Sequence, residues 1–570
     1  MNSIFFLVLR RIRAPLVALI SIYAVSVLGL TLVPGVDAAG QPAPPLSFFH
    51  AFYFVSFTAT TIGFGEIPNA FSNAQRMWVM VCVYMTVVGW TYTVLTLLAL
   101  LQDKGFQNTL VASRFARRVK RLDAPFYLVC GCGETGSLIC HTLDRFGHDF
   151  VIIEINELRV QELDLEDFKT DIPTLAADAR LPANLLLAGL GHPKCRGVLA
   201  MTNDEASNLA IAIAVRLLNP KIPVLARAWS PLVVANMASF GTDHIINPFE
   251  RFAEYLALAV AAPERVRLIE ILTGLPGQDL PEEHRPPHGE WVVCGYGRFG
   301  KAIVHHLAAA GVKVRVIEPY GEGPPGVPCI QGLGTEARTL IEAGIEQASG
   351  VVAGSDDDVN NLSIAMTAQQ IRPGIFIVTR QNQAANTALF EAFQGDFSMV
   401  PSRIVAQESI AILITPLLAD FLENLRQAQE PWCERLATQL ELMCEGRVPQ
   451  VWDVSLNASG ALAVYQSLMR GRHITLADLL VHSVRDRTHL PVVVLMIQRN
   501  GSTVLLPDED FVLAPGDRLL FAGRRRAQQA LELTMSNSNM LEYVLTGQEL
   551  LGGWLWQRLF PARRRVHQSS

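Results

Sequence analysis

Phe126-Tyr127-Leu128-Val129-Cys130-Gly131-Cys132-Gly133-Glu134-Thr135-Gly136 has a counterpart further along the chain, Trp291-Val292-Val293-Cys294-Gly295-Tyr296-Gly297-Arg298-Phe299-Gly300. Each reads as an apolar strand running into G-x-G-x-x-G, followed by a helical stretch, Ser137 to Phe146 and Lys301 to Ala310. A second strand ending in an acid comes next, Phe150-Val151-Ile152-Ile153-Glu154 and Val314-Arg315-Val316-Ile317-Glu318. In both copies 18 residues separate the last glycine from the acid, near the ~20 of a dinucleotide-binding βαβ unit. The glycines let the backbone approach a phosphate at a helix N-terminus. The acid can accept hydrogen bonds from ribose hydroxyls, which favours a ribose without a 2′-phosphate. The candidate ligand residues are therefore Gly131, Gly133, Gly136 and Glu154 in the first copy, and Gly295, Gly297, Gly300 and Glu318 in the second.

The repeat runs on. Asp178-Ala179, Gly197-Val198-Leu199-Ala200 and Asn203-Asp204-Glu205 match Gly332-Leu333-Gly334-Thr335, Gly350-Val351-Val352-Ala353 and Asp356-Asp357-Asp358. Asn208-Leu209 matches Asn361-Leu362, and strands close the copies at Val224 to Arg227 and Phe376 to Arg380. The acidic triplet could hold calcium, or it could cap and begin the next helix; the capping reading is preferred.

Ahead of the repeat lie two stretches without charge, Ala14 to Val33 and Met77 to Gln102. A bilayer core needs about 20 apolar residues in a helix, so both are expected to span a membrane. A cleavable leader is the alternative for the first, but no small-residue cleavage pattern precedes Pro34. Arg10, Arg11 and Arg13 come before the first span, and Arg114, Arg117, Arg118, Lys120 and Arg121 follow the second. The segment between carries only Asp37, Glu66 and Arg76 as charges. The excess of basic residues predicts that both termini are cytoplasmic.

Between the spans stands Thr58-Ala59-Thr60-Thr61-Ile62-Gly63-Phe64-Gly65-Glu66. A dehydrated potassium ion needs a cage of oxygens, and four copies of one strand can supply it with backbone carbonyls aimed at a common axis. Gly63 and Gly65 relax the steric limits on such a backbone, while Ile62 and Phe64 would pack outward. Leu46 to Ala59 fits a short helix that dips into the membrane, and irregular backbone at that depth must be buried in protein or line a pore. Gly89, midway along the second span, is either a hinge or a close-packing contact.

The segment resembles the potassium-channel signature, T-V-G-Y-G followed by an acid, with Ile62, Phe64 and Glu66 as mild departures. The candidate filter is Thr61, Ile62, Gly63, Phe64 and Gly65. Phe64 lacks the hydroxyl that usually braces such a filter. The two later copies resemble RCK (TrkA-N-like) domains, and the whole resembles a two-transmembrane bacterial potassium channel with tandem RCK domains. That resemblance implies an acid after the third strand, kept as Asp178 and replaced by Leu333. It also implies a basic residue near the phosphates, present as Arg298 and replaced in the first copy by Glu134, which should repel a phosphate. A helix that swaps to a neighbour is implied after each core, for which Arg251 to Ala261 and Ile404 to Gln427 are suited. Val448 to about Leu533 is similar to the small C-terminal lobe of such proteins.

The expected fold is a pore hairpin of two transmembrane helices and a re-entrant loop, then two α/β Rossmann-like RCK domains and an α+β lobe. The expected boundaries are 1–13 cytoplasmic N-terminus, 14–103 pore, 104–123 linker, 124–250 first RCK domain and 251–288 crossover helix and linker. They continue with 289–405 second RCK domain, 406–446 helical crossover, 447–535 lobe and 536–570 tail. Val111 to Asp123 would join the domains to the second span. The tail, Leu550 to Arg565, could lie on a membrane or dock on the protein. The net charge of −6 offers no footprint for nucleic acid. Nine scattered cysteines read as free thiols, neither disulfides nor metal ligands.

What these readings imply together is a ligand-gated potassium channel of the cell membrane, a homotetramer with a ring of eight RCK domains, and the resemblance implies NAD, ADP or ATP, or a divalent cation as the ligand. The rival is a membrane-anchored NAD-dependent oxidoreductase, for which no catalytic residues are found: His141, His305 and His306 lie on helices after the glycine motifs and read as packing or solvent residues. A weakly selective cation channel is the second rival.

Overall fold

The computed structural model describes residues 2–36, 41–66, 70–274, 276–280, 285–321, 323–425, 428–482 and 488–547, with side chains from residue 12 onward, that of Ile414 excepted. Asp37 and the tail 550–565 lie outside the described residues. The chain divides into two compact units near Leu122 and Asp123.

The first unit holds the helices Asn2–Leu32, Phe48–Ala59, Asn73–Gln102 and Lys104–Val119. Among its described residues Ile12–Leu32 and Asn73–Gln102 are long and apolar enough to cross a membrane. Ser47 caps the short helix by accepting the His50 N–H. Ser72 and Gln75 form a capping box at the start of the second span, which fixes where that helix begins. The same residues reach back to the end of the first span: Ser72 Oγ donates to the Pro34 carbonyl at 2.9 Å and Gln75 Nε2 to that of Val33 at 3.3 Å. Val27, Leu30, Ala51, Phe54, Val55, Phe57 and Phe71 form the core where the three helices meet. Val88, Leu95 and Leu98 stay exposed along the second span, as lipid-facing or subunit-facing positions would.

In the second unit the two copies of the repeat each build a six-stranded, wholly parallel sheet. The first runs Thr174–Ala176, Asp149–Glu154, Phe126–Cys130, Cys195–Ala200, Val224–Arg227, His244–Ile246 across the sheet. The second runs Cys329–Gln331, Lys313–Glu318, Glu290–Cys294, Gly350–Ala353, Phe376–Arg380, Phe397–Met399. Both orders are 3-2-1-4-5-6 in sequence, so the strand order reverses beside the glycine motif, where such sheets open a ligand crevice. The strands are continuous apolar runs because helices cover both faces.

The crossover helices are exchanged, and the neighbour is the other copy in the same chain. Helix Pro248–Ala261 follows the first sheet, yet its Phe249, Phe252, Leu256 and Val260 pack with Trp291, Phe299, Ile303 and Leu307 of the second domain. Helix Pro401–Ile414 follows the second sheet, yet Val405 and Ala406 pack with Val129, Ile139 and Leu143 of the first. Tyr127 Oη donates to the Leu413 carbonyl at 3.3 Å. Prolines at the first turn start these helices at Pro248 and Pro401.

The C-terminal lobe carries the antiparallel sheet Gln450–Ser455, Arg518–Gly523, Val492–Arg499, Ser502–Leu505. Alternation along Arg518–Gly523 splits its two faces. Leu519 and Phe521 face a core with Trp452, Val464 and Leu531, while Leu520 and Ala522 face Leu268, Phe421, Leu436 and Leu440 of the helices. The first of these cores continues to Leu541 of helix Ser538–Thr546.

Candidate functional site

In the first unit the candidate filter follows the short helix directly. Thr60 closes that helix, donating its N–H to Ser56 and its hydroxyl to the same carbonyl. The chain then extends through Ile62 to Gly65 with positive φ at every second residue: Thr61 at 62°, Gly63 at 68° and Gly65 at 92°. Alternate positive φ turns every other peptide plane over, so successive carbonyls face one side rather than opposite sides as in an ordinary strand. Thr61 carries a backbone strain that glycine would avoid. Ile62 and Phe64 are each 59% exposed in the single chain, although the Phe64 ring meets Phe57 edge-on at 5.4 Å between centroids.

Glu66 ends the segment in a clasp. Its carboxylate accepts Arg76 Nε at 2.8 Å, Arg76 Nη2 at 3.1 Å and the Phe71 N–H at 2.9 Å. The sequence noted the missing Tyr hydroxyl at Phe64; the Glu66–Arg76 pair is a brace it did not anticipate, and the sparse charges between the spans were its signal. Gly89 lies within a continuous helix. A Cβ there would meet Ile22 Cδ1 at 2.5 Å, so the glycine permits close packing with the first span, and a hinge at this point would have to part that contact.

In the second unit the glycine motifs fold alike. The helices begin earlier than expected, at Glu134 and Arg298, because Gly133 and Gly297 are the N-caps and the last glycine of each motif lies in the first turn. Gly131 and Gly295 have φ of 90° and 94°. Any Cβ on Gly136 or Gly300 would strike the carbonyl oxygen of Gly131 or Gly295. These are the two reasons the motif needs glycine here.

Glu154 and Glu318 sit at the ends of their strands and already hold the loop. The Glu154 carboxylate accepts the Cys132 N–H at 2.6 Å and the Asn156 N–H at 3.0 Å; Glu318 accepts the Tyr296 N–H at 2.6 Å. A carboxylate has about four acceptor positions, so capacity remains for ribose hydroxyls. Asp178 pairs with Arg180, Oδ2 to Nη2 at 2.7 Å, and that hydrogen-bonded guanidinium holds its carboxyl below the usual range. Leu333, its counterpart, is 53% exposed.

The three acids of the triplet Asp356-Asp357-Asp358 have separate partners. Asp356 pairs with Arg380 at 2.6 Å, Asp357 caps the next helix through the Asn360 N–H, and Asp358 accepts from Asn382, Gln383 and Asn386. Among the described residues no group of three His, Cys, Asp or Glu is placed to hold a metal ion, and calcium finds no support here. All nine cysteines are free. His141 stacks on Phe168 and His306 pairs with Glu250 at 2.9 Å.

Between the copies Arg298, which the sequence offered as the cation near the phosphates, meets residues that the sequence did not single out as site residues. Arg298 stands 5.3 Å from the Trp229 ring and 5.7 Å from that of Phe249; Arg227 is 5.4 Å from Trp229 and Arg380 is 4.8 Å from Phe249. Burial pushes the Arg227 and Arg380 guanidinium groups below their ordinary pKa. Arg227 and Arg380 end equivalent strands, so the repeat itself was the signal that could have found them. Asn208 and Asn361 are wholly buried and clamp the two crevices identically. Each accepts the N–H and hydroxyl of Thr202 or Ser355 and donates to that residue's carbonyl and to Arg227 or Arg380 O.

Residues 17–103 match an ion channel domain, and residues 127–248 and 291–401 each match the TrkA-N domain. Potassium channel protein 1 of Methanocaldococcus jannaschii is 25% identical over 226 residues, covering 40% of this chain and 66% of that protein. Probable potassium channel protein 2 of the same organism is 24% identical, covering 40% and 64%. A Trk system potassium uptake protein TrkA homolog of Pyrococcus horikoshii is 23% identical over 24% of this chain and 60% of its own length. The chain thus spans about two thirds of the length of these curated relatives, or slightly less. Among solved structures, the GsuK channel bound to NAD aligns with 94% of this chain and 99% of its own at 17% identity, with a TM-score of 0.43. These matches show a chain built of an ion channel domain followed by two TrkA-N (RCK) domains.

Proposed function

We propose that this chain is one quarter of a potassium-selective channel gated by an adenine nucleotide, ADP, ATP or NAD, bound to its RCK domains. The observation that carries the reading is the alternation of positive φ at Thr61, Gly63 and Gly65, at the end of a short helix and between two spans. Four such strands around an axis would replace a potassium ion's water shell with carbonyl oxygens. One pore loop per chain requires four chains, and the exposed filter residues suit a surface completed by other copies. Both termini then face the cytoplasm, and four chains bring eight RCK domains together.

The glycine crevices and their carboxylates supply the nucleotide part. A nucleotide opens or closes the pore only through different affinity for the two states of the ring. The test is flux of potassium against sodium in liposomes containing the purified chain, with and without ADP or NAD. Potassium-selective flux that a nucleotide changes is the expected result. Unselective flux would overturn the filter reading, and nucleotide turnover without flux would favour the oxidoreductase.

A further inference from the structure

The two crevices differ at one position that matters for a phosphate. The residue after the second glycine of the motif, which is the first of the helix, is Glu134 in one copy and Arg298 in the other. Glu134 Oε1 accepts the Ala384 N–H of the second copy at 2.9 Å. A carboxylate is thus held at the N-terminus where an incoming phosphate would seek its place. Arg159 donates to Cys132 O and Ser137 Oγ beside this motif, but Glu162 and Glu166 already pair with it. Arg227 donates to Thr135 and Asn203 nearby.

Around the second motif the charges run the other way. The Arg298 guanidinium is exposed and, among the described residues, makes no hydrogen bond or ion pair; it is held only against Trp229 and Phe249. Lys301 lies over the Tyr296 ring at 5.5 Å. Arg380 is 7% exposed and pairs with Asp356, and its Nε, like that of Arg227 in the first copy, has no partner. A Cβ built on Gly297 meets nothing within 4 Å, whereas at Gly133 the Asn203 amide nitrogen stands 3.7 Å away. The space and the unpaired cation are both in the second copy.

We propose that the crevices are not equivalent: the second binds the diphosphate of a nucleotide, with Arg298 as its cation, while in the first the Glu134 carboxylate takes the phosphate's place and clasps the second copy. One chain then holds one nucleotide. The proposal rests on the reading of the crevices as nucleotide sites.

Isothermal titration of the full-length chain in detergent, with ADP and separately with NAD, tests it. One nucleotide per chain is expected, with hydrogen-exchange protection at 295–300 and not at 131–136. Arg298→Gln should weaken binding by about tenfold or more, the loss of one charge-assisted contact. Glu134→Arg should raise the stoichiometry toward two. Two equal sites in the unaltered chain would overturn the proposal and leave the nucleotide reading standing. Protection confined to 131–136 would overturn it too, by reversing the assignment. No binding of either nucleotide would remove the nucleotide reading itself and this proposal with it. The stoichiometry and the exchange pattern need no variant, so a misfolded substitution leaves the outcome decided.

Discussion

Replacing Asn361 with Leu removes four hydrogen bonds from a residue that is 0% exposed. Its Oδ1 accepts the Ser355 N–H and hydroxyl at 2.8 Å each, and its Nδ2 donates to Ser355 O at 2.9 Å and Arg380 O at 2.7 Å. Leucine fills the space but leaves the partners behind. Ser355 O keeps a second donor, Asn382 Nδ2 at 3.2 Å, so the Ser355 N–H and the Arg380 carbonyl bear the loss. An unsatisfied buried group costs about 1–3 kcal/mol, which puts the total near 4 kcal/mol. Local opening of the strands Gly350–Ala353 and Phe376–Arg380 should then be easier by that amount. Their amides should exchange about a thousandfold faster, since each 1.4 kcal/mol is about a factor of ten. Hydrogen exchange read by mass spectrometry on the full chain measures this domain by domain. Asn208→Leu is the matched experiment: it should accelerate Cys195–Ala200 and Val224–Arg227 and leave the second sheet alone. Acceleration below about fivefold in either case, or equal acceleration of both sheets, would refute the view that each asparagine is the clamp of its own crevice.

Three further outcomes are expected. Gly63→Ala places a side chain at φ 68° where no atom of the same chain lies within 4 Å, so its cost within the chain is backbone strain, about 1–2 kcal/mol; potassium flux in liposomes should fall at least about tenfold with assembly intact, and unchanged flux would remove Gly63 from the filter. Phe252→Ala should cost about 3–5 kcal/mol, and because Phe252 packs on Phe299 and Phe397, exchange should rise in Glu290–Cys294 while Phe126–Cys130 keeps its protection. Glu542→Gln tests pH dependence in the C-terminal lobe. Its hydrogen-bonded partner Arg472 holds the Glu542 carboxyl below its ordinary 4.5, so the pair stabilises fully above that value and fades as pH falls through the lower, folded one. The variant should lose roughly 0.5 kcal/mol at neutral pH and show a flatter acid limb in thermal unfolding; an unaltered acid limb would show that the pair contributes nothing.

Much of this fold was legible because its signals are local. Strand, glycine motif and acid lie within thirty or so residues, and Gly131 and Gly295, Glu154 and Glu318 appear where the spacing put them. The charge-free runs announced the spans for the same reason. The helix starts were misjudged by three residues because a glycine reads as a breaker, yet Gly136 and Gly300 sit inside the first turn to let it approach the preceding loop. The Arg227–Trp229–Arg298 stack was out of reach because its members come from two copies, and nothing local distinguishes a stacked arginine from a solvated one. Glu134 illustrates the limit best: its sign could be read from the motif, but its partner, the Ala384 N–H, lies 250 positions away in sequence.

The exchange of crossover helices bears on how the copies can act. Without Phe249, Phe252 and Leu256 the second domain's face around Trp291 and Phe299 would be bare, and without Val405 and Ala406 the first would expose Ile139 and Leu143. Burying a large apolar side chain contributes roughly 1.5–3 kcal/mol, so each domain depends on several such residues that belong by sequence to the other. Neither copy has a complete core alone, and each relies on a helix that the other supplies. Helix Pro248–Ala261 also carries Phe249 to Arg298 and Arg380, beside the second crevice. A nucleotide phosphate that draws Arg298 away from Phe249 and Trp229 therefore acts on a helix rooted in the first copy. Two identical, self-contained domains would have no such path. On the proposed reading, the packing that completes each core is also the packing through which a ligand in one copy would be felt in the other.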